Sequence, residues 1–210
     1  FKVGPDYLDS QLLTLVSKNP CRNLDLILCG NEWVKESFEE YGSKADLTLV
    51  EGVMGLFDGS EKTSDAGSSM EISRWLGWQI ILVVPCRNAG RSIIAAIQGF
   101  VTEAGGEKYF AGIILNKVNS NSHGEYLMQS CASLKIPILG VIPETSKINW
   151  PERYLGLEPI SERDLIDKTR FADFAEKHIN IDCLVKHFSL KSESSSCLNN
   201  TERTIPKFNK

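Results

Sequence analysis

The chain has 210 residues, 42% hydrophobic and 24% charged; this is enough apolar material for one domain with its own core, and it excludes wholesale disorder. With 27 acids against 23 bases the net charge is −4, so no basic field exists to draw a polyanion onto the surface, and a dedicated nucleic-acid binder is excluded. Six cysteines lack C-x-x-C or short Cys/His spacing, no apolar run is long enough to span a bilayer, and the first residues have no leader pattern; a soluble cytoplasmic protein with reduced thiols is expected.

The chain opens on Phe1-Lys2-Val3-Gly4-Pro5-Asp6-Tyr7-Leu8-Asp9, where a lysine and two carboxylates three apart surround a Gly-Pro break. The lysine could neutralise a phosphate or a substrate carboxylate, and the acids could bind metal or orient a reacting group. A solvated turn with an aspartate cap is the plainer alternative. Asn31 to Tyr41 reads as a helix, with Val34 and Phe38 on one face and glutamates on the other.

Leu47 to Val50 reads as a buried strand that ends at Glu51 and enters the loop Gly52-Val53-Met54-Gly55-Leu56-Phe57-Asp58-Gly59. An acid at the carboxyl end of a parallel sheet stands where ligands bind in open α/β folds, and it can join the shell of a Mg²⁺ ion bridging nucleotide phosphates. Alternatively Glu51 only ends a strand and Asp58-Gly59 is a turn pair.

A helix over Ser68 to Leu76, a strand over Ile80 to Val84 and a strand over Ala111 to Leu115 follow. Arg87, Arg91 and Ser92 lie between the second strand and the next helix, placed to meet an anion or simply to face water. Asn116 and Lys117 come directly after Leu115, where an amide can read a purine and a lysine stem can pack on it. Ser122-His123-Gly124-Glu125 has capping-box spacing and predicts a helix from Ser122 to about Leu134, before a strand over Ile138 to Ile142. After Pro159 a helix is expected from Glu162 to Lys177 and a short one from Asp182 to Phe188. From Ser189 onward the chain is too polar to offset its own ordering and is expected to be a linker or disordered tail over 189–210.

Buried apolar strands alternating with helices imply an α/β fold: a mostly parallel sheet with helices on both faces. The three histidines are far apart in sequence, which argues against a metal triad, and no nucleophile elbow occurs. The cysteines read as structural or incidental.

Four blocks, at 1 to 9, Arg22-Asn23-Leu24-Asp25, Val50 to Gly59 and Pro151-Glu-Arg-Tyr-Leu-Gly-Leu157, resemble in order and spacing the cobyrinic acid a,c-diamide synthase family. The resemblance covers residues 1 to 188 and implies part of an ATP-dependent synthetase domain, P-loop NTPase-like and similar to dethiobiotin synthetase. It implies a Gly-rich phosphate loop upstream of Phe1 and a glutaminase domain elsewhere in the whole protein, so that the 210 residues alone would be inactive.

The implied reaction is amidation of the a- and c-carboxylates of cobyrinate through acyl phosphates, with ATP and Mg²⁺ as cofactors and glutamine or ammonia as nitrogen donor, in cobalamin biosynthesis. By resemblance Asp6, Asp9 and Glu51 are catalytic, with Asp6 and Glu51 on the metal; Tyr7, Leu8 and Asp58 contact substrate; Lys2, Asn116 and Lys117 contact the nucleotide. No nucleic-acid or membrane partner is implied, and a homodimer is compatible. Hydrogenobyrinate or a nickel sirohydrochlorin is the alternative substrate. A ParA/MinD-type positioning ATPase is the rival of another class, disfavoured because the Glu51 to Asp58 loop has no role in such a switch.

Overall fold

The computed structural model describes residues 1–145 and 168–195. Strands β1 (Lys2–Val3) and β2 (Asn23–Leu24) pair in parallel, Lys2 against Asn23 and Val3 against Leu24, with helix α1 (Tyr7–Ser17) as the crossover. On its other side β1 meets Glu51: the Val3 N–H donates to the Glu51 carbonyl at 2.8 Å, and the Glu51 N–H to the Phe1 carbonyl at 2.9 Å. The strand expected over Leu47 to Val50 is thus a single parallel bridge at Glu51. The apolar run itself does not bury, since Leu47 and Leu49 are exposed, and one neighbouring strand supplies too few partners for a ladder.

Helices α2 (Asn31–Gly42) and α3 (Ser69–Leu76) follow, close to expectation. Ser68 caps α3, its Oγ accepting from the Glu71 N–H. The second sheet is all parallel in the order β3 (Ile80–Pro85), β4 (Phe110–Val118), β5 (Ile138–Pro143), with α4 (Ile93–Ala104) and α5 (Asn121–Ser130) between the strands. Leu82 pairs with Ile113 and Val84 with Leu115. Gly112 is required here, because a Cβ at that position would run into the Leu139 side chain.

Alternation along β4 assigns its side chains to two cores. Ile113 and Leu115 face a cluster holding Met70, Ile97 and Leu127; Ile114 faces a second cluster holding Leu139 and Leu184. Leu184 lies on α7 (Ile181–Ser195), which follows α6 (Lys168–His178), so helices cover both faces of this sheet as expected. A third core joins Val3, Leu24, Val34 and Ile72. Because α3 gives Met70 to one core and Ile72 to another, it couples the two sheets, and each fully buried side chain of this size contributes about 1.5–3 kcal/mol.

Three boundaries differ from expectation. β4 continues to Val118, so Asn116 and Lys117 lie within the strand rather than after it. The cap of α5 is Ser120, not Ser122: Ser120 has the extended backbone a cap needs and accepts from the His123 N–H at 3.2 Å, while Ser122 already sits in the first turn. Helix α7 passes the boundary expected at Phe188 and ends at Ser195, because extending a formed helix costs little per residue. The block at 151 to 157, the first six residues of the helix expected from Glu162 and the tail beyond Ser195 lie outside the described residues.

Candidate functional site

The tightest cluster of charge forms where β1, α1 and the loop after Glu51 meet. Gly4, at φ +75°, turns the chain sharply out of β1, and Asp6 then caps α1, its Oδ1 accepting from the Leu8 and Asp9 N–H groups at 3.1 Å each. Asn23 secures this turn: its amide donates to the carbonyls of Gly4 and Asp6, both at 2.7 Å, and its Oδ1 lies 2.9 Å from the Ser10 hydroxyl. One helical turn therefore delivers both Asp6 and Asp9 to the end of β1.

Lys2 is the centre of the group. Its ammonium lies 2.9 Å from Asp9 Oδ2, 3.5 Å from Glu51 Oε2 and 3.7 Å from Asp6 Oδ2, and it donates to the Gly52 carbonyl at 3.3 Å. The lysine side chain is 5% exposed, whereas those of Asp6, Asp9 and Glu51 are 30%, 45% and 51% exposed. Burial works against the charged form of Lys2, yet the hydrogen bond to Asp9 and the charges of Glu51, Asp9 and Asp6 outweigh it, raising the amine above its ordinary 10.5. Burial likewise pushes the Asp6 carboxyl up, but hydrogen bonds from Asp9 and Leu8 and the charge of Lys2 bring it below 3.8. The cluster presents a water-facing rim of three carboxylates over one buried ammonium.

The sequence-derived candidates divide accordingly. Lys2, Asp6, Asp9 and Glu51 come together, and the lysine is directed at the protein's own acids. Tyr7 is exposed on the first turn of α1, and Leu8 beside it is half-buried. Asp58 closes its own loop, with Oδ2 accepting from the Gly55 N–H at 2.9 Å and its N–H donating to the Gly55 carbonyl at 3.1 Å; the turn runs from Gly55 to Asp58 and not through an Asp58-Gly59 pair. Asn116 accepts from the Lys117 N–H at 2.9 Å, and Lys117 holds a left-handed φ of +58° at the end of β4. Neither makes a hydrogen bond or ion pair with the Lys2 group among the described residues.

At the ends of β3 and β4 lies a network that joins residues without a sequence expectation, Asn88, Asn119, Tyr126 and Glu144, to His123, Arg87 and Arg91. Asn119 donates to Asn88 Oδ1 at 2.8 Å. His123 accepts the Asn119 N–H at Nδ1, 3.2 Å, and so donates from Nε2 to the Ala89 carbonyl at 2.6 Å. Arg87 pairs with Glu144, and the Arg91 N–H donates to the Tyr126 hydroxyl at 3.1 Å. Asn23 also went unassigned; its only sequence signal was membership of the block at 22 to 25. The described cysteines, Cys21, Cys29, Cys86, Cys131 and Cys183, are free thiols, and burial pushes Cys86 up to about 11, far from a nucleophile's range.

Among the described residues no three His, Cys, Asp or Glu side chains group as ligands for a metal ion. Mg²⁺ does not require such a cage; it keeps waters and binds through one or two carboxylates plus substrate phosphates. Glu51 and Asp6, partly exposed carboxylates beside the Lys2 ammonium, are donors of that type. No described helix is long and apolar enough to cross a membrane. A wide depression of about 810 Å³ along β5 and α6 contains none of the candidate residues.

Residues 1–157 match the family model of the CobQ/CobB/MinD/ParA nucleotide-binding domain. A cobyrinate a,c-diamide synthase of Synechococcus sp. is 44% identical over 162 residues, 77% of this chain and 35% of the relative. One of Syntrophotalea carbinolica is 38% identical over 184 residues, 86% of this chain and 40% of the relative. A hydrogenobyrinate a,c-diamide synthase of Streptomyces coelicolor is 38% identical over 168 residues, 80% of this chain and 34% of the relative. The chain thus spans little more than a third of the length of these relatives. No solved structure matches.

Proposed function

The chain belongs to the CobQ/CobB/MinD/ParA nucleotide-binding family, and from that premise we propose that it is part of the synthetase portion of a cobyrinate a,c-diamide synthase acting in cobalamin biosynthesis. The observation that carries this reading is the rim at which Asp6, Asp9 and Glu51 converge on the buried Lys2 ammonium. The names of the similar proteins support the substrate class, with hydrogenobyrinate as the second candidate. They favour a synthase over a positioning ATPase.

A carboxylate is a poor acylating agent, and the proposed chemistry removes that barrier in two steps. An oxygen of the substrate's carboxylate attacks the γ-phosphorus of ATP, the bond from that phosphorus to the bridging oxygen breaks, and ADP leaves. Ammonia, supplied as such or from glutamine, then attacks the acyl carbon; the carbon–oxygen bond to phosphate breaks, phosphate departs and the amide remains. Asp9, partly exposed, takes the surplus proton from nitrogen. Mg²⁺ would be held by Glu51 and Asp6, where it supplies charge neutralisation between phosphates and carboxylate.

Lys2 is a positioning residue in this scheme. Its ammonium holds three mutually repelling acids in one place and offsets part of their charge before an anionic substrate arrives. Tyr7 and Leu8 are proposed to help place the substrate's carboxylate arm, with Asp58 at the loop tip as a further contact, and Asn116 and Lys117 to face the nucleotide base. Turnover is assigned to the full-length protein, not to these 210 residues alone.

The test is Glu51→Gln in the full-length protein. Removing one of the charges that bind the activating cation is expected to lower formation of both amides by about a hundredfold or more, as loss of a preorganised electrostatic group does. The fold should survive, because Glu51 is half exposed and its backbone makes the bridge to β1. Amidation at the unchanged rate would remove Glu51 from the mechanism.

A further inference from the structure

Beside the charged rim lies a cleft of about 380 Å³, bounded by the turn after β1, the segment following β2 and the loop after Glu51. Its volume is in the range that takes small ligands. The walls are mostly apolar, with Leu24, Leu26, Ile27, Val53 and Met54; Asp25 and Ser60 also line the cleft, and Asp6 belongs to the cleft and the charged cluster alike. An apolar wall runs directly into the carboxylate site.

Two features show that this wall is built and not incidental. Asp25 is buried and spends Oδ1 on the N–H groups of Ile27 and Leu28, 2.9 Å each, which fixes the segment carrying Ile27. Met54 is held at φ +54°, a conformation that L side chains adopt at a cost, and its side chain is 74% exposed. Ile27 is 61% exposed. Strain and apolar exposure at the same lip are unfavourable for the free protein and are offset when an apolar surface covers them.

We infer that this cleft seats an apolar edge of the tetrapyrrole, leaving its carboxylate arms to reach Asp6, Asp9 and Glu51 at the adjoining rim; the assignment rests on the a,c-diamide synthase reading. The macrocycle carries methyl groups and acidic arms around its edge, and the site has the same division: aliphatic and thioether surface on one side, charge on the other. Met54 suits such an edge, since an unbranched, polarizable thioether adapts to an irregular apolar surface.

The test uses the full-length protein with cobyrinate, ATP and ammonia, in wild-type form and with Ile27→Glu or Met54→Gly. Both variants should raise KM for cobyrinate about tenfold or more while KM for ATP stays within about twofold, the pattern of lost substrate burial. Met54→Gly relieves the backbone strain and so keeps the test valid even if Ile27→Glu fails to fold. Wild-type amidation with an unchanged cobyrinate KM in Met54→Gly would overturn the cleft assignment and leave the functional reading standing. Absence of amidation by the wild-type protein would overturn both.

Discussion

At the β1 rim three carboxylates meet around one buried ammonium, whereas at the end of β3 and β4 the side chains of Asn88, Asn119 and His123 close a hydrogen-bonded network. The first arrangement depends on a single residue: without Lys2, three carboxylates would be left facing one another. The second has no such centre: Asn88 and Asn119 bond each other, and His123 is held by the backbone of Asn119 and Ala89. A site that must accept an anion needs the first kind of construction, because acids gathered around a cation can exchange part of that partner for another cation. A rim of satisfied amides offers shape and hydrogen bonds, the means by which neutral rings are read.

Removing the centre should therefore have the larger effect. Lys2→Met is expected to destabilise the protein by about 2–3 kcal/mol in urea unfolding, below the usual cost of breaking a buried pair because water screens the three partly exposed acids. If the variant is as stable as the wild type, the acids are not held by Lys2. Asn119→Ala removes exposed hydrogen bonds to Asn88 and should cost only about 0.5–1 kcal/mol by the same measurement. An equal or greater loss there would erase the distinction between the two rims.

The smallest expected effect is in the pH dependence of stability. His178 is held below its ordinary 6.5 by burial and by the charge of Lys177, against a hydrogen bond with the Val141 backbone. Its contribution is present above 6.5 and is lost as pH falls through the lowered value. Asp6 contributes in the same sense at lower pH: its share is present above 3.8 and is lost as pH falls through its depressed value. Stability should thus decline in two stages on acidification. Asp6→Asn keeps a capping side chain and should remove only the lower stage; a curve retaining both stages would detach Asp6 from the ionic cluster.

Much of this was legible in the residues. Continuous apolar runs located β3, β4 and β5; the Ser68 cap and 3.6-residue spacing located α3 and α2; and the clustering of Asp6, Asp9 and Glu51 at one rim followed from acids placed at strand ends. The destination of Lys2 was not. A lysine at a strand end looks the same whether it faces a phosphate or the protein's own acids, and Glu51, which decides the matter, lies 49 residues further along. The 47 to 50 run also misled, since a composition suited to a buried strand says nothing of whether two neighbours exist to pair with it. Ser122, with Glu125 three residues on, has the capping-box spacing, yet it is Ser120 that has the extended backbone and accepts the His123 N–H, which spacing does not reveal.

The claim that the charged rim serves carboxylate activation is tested most directly by following oxygen. The full-length protein would be supplied with ATP, ammonia and cobyrinate labelled with ¹⁸O in its a- and c-carboxylates, and the released phosphate analysed by mass. Acyl phosphate chemistry predicts one labelled oxygen transferred to phosphate for each amide formed. Diamide formed with unlabelled phosphate would contradict the account.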